Sequence, residues 1–130
     1  MRWDYEFVDD GPFDVIAKTS GVATVEEMIQ GRRSMYADPR LRPGVAILFD
    51  HSDLVGDLTA EENRKVAAAS SYDFEEYQIG YSAMVAPRPV AYGMIRMWQA
   101  YVTGPIRERS RVFKTVEDAY EWIEEIRSDG

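Results

Sequence analysis

The run Gly44 to Phe49 (GVAILF) contains no polar side chain, and the only histidine of the chain, His51, follows two residues later. A strand with one wet face alternates apolar and polar residues, so an unbroken run predicts a strand covered on both sides, at the centre of a sheet. The flanking segments decide what covers it.

Before the run, Trp3, Tyr5 and Phe7 alternate with polar residues, and a second strand-like stretch, Phe13 to Thr19, follows Asp10-Gly11-Pro12. An Asp-Gly turn between two such stretches predicts a β-hairpin. Thr24-Val25-Glu26-Glu27 then opens a helix with Val25, Met28, Ile29, Met35 and Tyr36 on its inner face, and Asp38-Pro39 closes it.

After the run a helix begins near Thr59 and extends at least through Ala67 to Ala69, while Tyr72 to Tyr77 fits helix or loop. Ser82 to Ala86 reads as another buried strand. Pro89 suits the first turn of a third helix that carries Val90, Met94, Met97, Trp98 and Tyr101 at helical spacing. Arg111 to Phe113 is a short strand, and Thr115 opens a last helix with Val116, Ala119, Tyr120, Ile123 and Ile126 inward. The order β-β-α-β-α-β-α-β-α over residues 1–130 predicts a single α/β domain with a mixed sheet, its later strands parallel and joined by right-handed crossovers.

Three helix starts share a threonine with an acid three residues on: Thr24 with Glu27, Thr59 with Glu62, and Thr115 with Asp118. Such a hydroxyl accepts from an unpaired first-turn amide, and the acid can reach back to the cap amide. Thr59 is therefore read first as a helix cap.

The balance of 23 acidic against 15 basic residues gives a formal charge of −8, which repels phosphate backbones and argues against a nucleic-acid partner. The small arginine groups (Arg32 with Arg33, Arg40 with Arg42, and Arg107 with Arg109 and Arg111) lie near acids and read as solvated faces. Absence of cysteine removes disulfides, thiolate nucleophiles and sulfur metal ligands. No apolar run approaches the ~20 residues of a membrane span. Charges through the first residues leave no signal-peptide core, so the expectation is a cytoplasmic protein without membrane insertion.

Asp50, His51 and Ser52 are neighbours in sequence, whereas a nucleophile, its base and the orienting acid normally converge from separate segments. The trio is read as a strand-end loop in which Asp50 and Ser52 bond backbone amides. From Asp50 to Glu61 an EF-hand window fails, because Val55 stands where the sharp turn needs glycine. One histidine and no cysteine make a zinc site improbable, and neither Gly-x-Gly-x-x-Gly nor a Walker loop occurs. No catalytic residue, metal or cofactor is expected.

The element order, together with Val45 to Asp50 leading through a loop to Thr59-Ala60-Glu61-Glu62, resembles the STAS fold of the SpoIIAA-like anti-sigma-factor antagonists. More specifically it is similar to uncharacterised bacterial SpoIIAA-like (STAS/SEC14-type) proteins. Gly21 with Thr24 to Glu27, Ala37 to Arg40 before Pro43-Gly44, Ala91 to Ala100, and Val112-Phe113 before Trp122-Ile123 carry the likeness. The resemblance implies a regulatory interaction module, with a partner kinase bound around residues 45 to 65 and a phosphorylated serine at the helix start. That position falls nearest Thr59. The family's Asp-Ser pair is absent, since Leu58 precedes Thr59.

The leading expectation is a non-enzymatic module that binds a protein partner through Asp50, Ser52, Leu54, Val55 and Thr59, on an exposed loop from Asp50 to Leu58. Its alternative is a carrier or sensor of a small lipophilic ligand, in a pocket lined by Tyr92, Met94, Met97 and Trp98. The outer edge of the hairpin could also pair with a second copy to form a homodimer.

Overall fold

A computed structural model describes residues 1–129. Five strands, β1 (Arg2–Phe7), β2 (Val15–Val22), β3 (Ala46–Val55), β4 (Tyr81–Val85) and β5 (Ser110–Phe113), lie side by side in chain order. β1 runs antiparallel to β2, and every later neighbour is parallel. The helices are α1 (Val25–Tyr36), α2 (Ala60–Glu76), α3 (Pro89–Tyr101), the short α4 (Pro105–Arg109) and α5 (Val116–Asp129).

Alternation along the strands sorts side chains between two cores. Ile47, Phe49 and Met84 face the larger one, which they share with α1, α2 and α3. Ala46, Leu48, Ala83 and Val85 face the smaller one, closed by Ala119 and Ile123 of α5. β3 is the middle strand, so both of its faces are dry and the sequence Ala46–Phe49 has no use for a polar residue.

Several boundaries differ from the sequence expectation. The hairpin forms, but residues 8–14 connect its strands rather than a tight Asp-Gly turn, and the connection is closed by Val8 N–H donating to the Asp14 carbonyl at 2.9 Å. Phe13 lies outside β2 because its ring is buried in the smaller core, edge-on to Tyr120 at 5.1 Å. On α3 the buried stripe is Ala91, Met94, Ile95 and Trp98, while Val90 and Met97 face outward. α4 was not foreseen; its five residues are too few to show a period.

All three threonine caps are present, each accepting from the amide three residues on at 3.2 Å. Only at α2 is the pair reciprocal, with the Thr59 amide donating to Glu62 at 2.9 Å.

Of the stretch 72–77, which fits either state, residues 72–76 belong to α2 and Tyr77 is its C-cap, and the end is fixed at the next residue. Gln78 takes a left-handed conformation (φ 52°), its amide donates to the Glu75 carbonyl and the Ile79 amide to that of Phe74, and Ile79 and Phe74 are both buried. This is a Schellman stop with glutamine where glycine is usual. Gln78→Gly removes the Cβ penalty of that conformation and should raise stability by about 1 kcal/mol in urea melts, since no buried contact of Gln78 is lost. A loss of stability would show that the Gln78 side chain matters to the cap.

Candidate functional site

The register between β2 and β3 slips once. Lys18 pairs with Asp50 but Ser20 pairs with Asp53, so β3 carries one residue more than β2 opposite Thr19. A bulge of this kind re-aims side chains. Ile47, Phe49 and His51 face the helices before the slip, and Leu54 returns to that face after it. Without the extra residue Leu54 would point away from the core it fills.

His51 is 1% exposed. Its ring stacks on Phe49 (6.1 Å, 18° between planes), its Nδ1 lies 2.6 Å from the Thr19 hydroxyl, and its Nε2 is buried without a protein partner. Burial, and next the positive charge of Arg32, push the imidazole down to about 3, with Asp50 acting in the opposite direction. The ring is neutral at physiological pH.

Arg32 is 4% exposed on the inner face of α1. Its guanidinium donates to the Ser70 hydroxyl of α2 and lies 5.1 Å from the centre of the Phe49 ring and 5.5 Å from that of Trp98. Burial lowers its proton affinity, while nearby Tyr36 and Asp73 raise it. Among the described residues no carboxylate pairs with it; Asp73 is instead bonded to Arg33 Nε at 2.8 Å. Ser70 is doubly used, accepting also from the Trp98 indole N–H at 3.1 Å.

Arg32, His51 and Asn63 line one small cavity between the sheet and α1 to α3, whose open volume of about 10 Å³ is that of a single water. Its remaining wall is apolar and includes Leu58, Val66, Met94 and Ile95.

The residues expected to form a docking loop are differently placed. β3 runs on through Val55, so there is no loop at Asp50. Leu54 and Leu58 are buried, at 1% and 6% exposure, because the bulge and the turn into α2 turn both toward the helices. Val55 remains 46% exposed. Asp50 accepts from the Ser52 amide at 3.0 Å and from the Ser52 hydroxyl at 2.5 Å, so the serine bonds the aspartate rather than an amide of its own. Thr59 is exposed at the start of α2.

The expected pocket divides in two. Met94 and Trp98 line the cavity, whereas Met97 is 37% exposed against the Asn63 amide and Tyr92 lies half-buried under the Lys114 amine at 5.1 Å.

Arg32, read as part of a solvated face, is the residue sequence reasoning missed. A signal existed: it stands four residues after Met28 and three before Met35, squarely on the apolar stripe of α1. Among the described residues no three His, Asp or Glu side chains gather to hold a metal, and no helix is long and apolar enough to cross a membrane.

With this geometry in view, no family model and no curated protein matches the chain. A solved structure does, over 94% of this chain and 92% of its own, at 18% identity and a TM-score of 0.54. It is an uncharacterized protein of the DUF3478 family with a SpoIIAA-like fold from Shewanella loihica PV-4. The fold of this protein is SpoIIAA-like. At that identity the likeness concerns the fold alone, and it agrees with the strand and helix order derived above.

The neutral, buried His51 makes stability depend on pH in a defined direction. Its folded value lies below the ordinary 6.5, so the unfolded chain binds the extra proton first and stability falls as pH drops from 6.5 toward 3. The slope limit is about 1.4 kcal/mol per pH unit. Glu27 and Glu62 are lowered from 4.5, so the upper part of that window belongs to the single histidine. Urea melts between about pH 6.5 and 5 should show this loss in the native protein and not in His51→Gln. A flat profile in the native protein would contradict a buried neutral imidazole.

Proposed function

We propose that this SpoIIAA-like domain is a non-enzymatic interaction module that receives a protein partner where β2 and β3 end. The observation that carries this reading is the pair Val22 and Val55, which face each other across the two strands and are 61% and 46% exposed. Two large aliphatic side chains side by side at the carboxyl ends of parallel strands form the kind of surface that binding partners cover. The resemblance to the antagonist family supports the same place, since there the partner binds around the strand and helix matching residues 45 to 65.

Asp50, His51 and Ser52 give this module no catalytic set, because the imidazole is buried toward the helices and the Asp50 carboxylate is engaged by Ser52. Thr59 lies at the same end of the molecule, at the first turn of α2. A phosphoryl group on its hydroxyl would displace the reciprocal cap and set a dianion against Glu62, changing this surface without touching the core. In the alternative, a ligand carrier, the cavity limits the cargo: about 10 Å³ admits no lipid chain until Leu58 or Met94 moves.

A photoreactive amino acid at position 55, expressed in the protein's own cells, should cross-link to one discrete protein, and the same group at the exposed Tyr72 should not. Val22→Ser should abolish that product while leaving the melting temperature within about 2 °C, as expected for a surface site. No product at 55, or the same product from both positions, would remove the reading.

A further inference from the structure

We infer that the cavity bounded by Arg32, His51 and Asn63 is a receptor for the carboxylate of a small organic acid with a short apolar tail. This stands apart from the docking surface, because it uses the buried helix-facing side of β3 rather than the exposed end of the strand.

Charge is the first ground. A guanidinium that is 4% exposed, bonded to the Ser70 hydroxyl, with the Tyr36 hydroxyl acting on it and two aromatic rings facing it, still has no carboxylate partner among the described residues to offset its lost hydration. Asp73, the carboxylate that favours its charged form, is held by Arg33. An incoming carboxylate would supply the missing anion, and the planar fork of arginine suits two parallel bonds to it.

The second ground is His51. Its Nε2 has no partner among the described residues, and the residue lines the same cavity. In the tautomer in which Nδ1 accepts from the Thr19 hydroxyl, 2.6 Å away, the proton sits on Nε2 and is a donor for the bound acid. A neutral donor beside a cation fits one monoanion.

The walls decide the rest of the ligand. Leu58, Val66, Met94 and Ile95 offer nothing to a second charge, so the group attached to the carboxylate is apolar. The way in is also marked. The Leu58 amide rests on the Met94 sulfur and the Asn63 side-chain amide on the Met97 sulfur, both at 3.5 Å, contacts weak enough to give way. Met97, at 37% exposure, connects this wall to solvent, and swinging the two methionines aside enlarges the cavity for a short chain.

The test is a headgroup series on the full chain: formate, butyrate, hexanoate, hexanol and hexylamine, followed by calorimetry and by Trp98 fluorescence. Hexanoate should bind saturably and about ten-fold or more tighter than hexanol, hexylamine or formate. Arg32→Met should lose that binding, because a side chain of similar length keeps the bulk at this place and removes the charge. Should Arg32→Met fail to fold, the comparison of hexanoate with hexanol in the native protein decides by itself. Absence of saturable acid binding, or hexanol or formate binding as tightly as hexanoate, would overturn the inference. Neither result bears on cross-linking at Val55, so the two readings fail separately.

Discussion

The Arg32 guanidinium ties the three long helices on one face of the sheet to one another and to the sheet. From α1 it reaches the Ser70 hydroxyl on α2, the Phe49 ring on β3 and the Trp98 ring on α3. Each contact alone is modest, a hydrogen bond or a cation over a ring. Together they set the spacing at which the three helices lie on the sheet, because a buried charge tolerates displacement far less than an aliphatic side chain does. Ser70 is the hinge of the arrangement: it donates to the Val66 carbonyl of its own helix at 2.7 Å while accepting from both Arg32 and Trp98.

The β3 bulge belongs to the same constraint. It places His51 beside Thr19 and over Phe49, within the electrostatic reach of Arg32, and it returns Leu54 to the core. Burial first, and then the charge of Arg32, keep the imidazole neutral, which leaves the arginine as the one charged side chain among the described residues that line the cavity. The surface at Val22 and Val55 lies where the same two strands stop, which puts an exposed apolar pair near a polar interior without a break in the sheet.

Much of the fold could be read from residues. The unbroken Ala46–Phe49 run announced a strand with two dry faces, and the threonines at 24, 59 and 115 marked helix starts that proved to be capped. These signals are local, and local rules decide them. What escaped had tertiary causes. The residues after the apolar run, through Asp53, look like loop; their strand state is imposed by pairing with β2 through a bulge that no period reveals. Leu54 and Leu58 looked available for docking for the same reason. Arg32 was assigned to solvent by its charge, although its position on the α1 stripe argued for the core, and position was the better guide. The end of α2 was obscured by a glutamine doing what glycine usually does.

Arg32 is a buried, ring-bound cation around which the helical layer is organised. Nuclear magnetic resonance of the guanidinium protons tests it most directly. Arg32 should give slowly exchanging side-chain signals at neutral pH, shifted upfield by the rings, with cross-peaks to Phe49 and Trp98, unlike the exposed arginines. Signals that exchange and average like those of the exposed arginines would place Arg32 in solvent and contradict it.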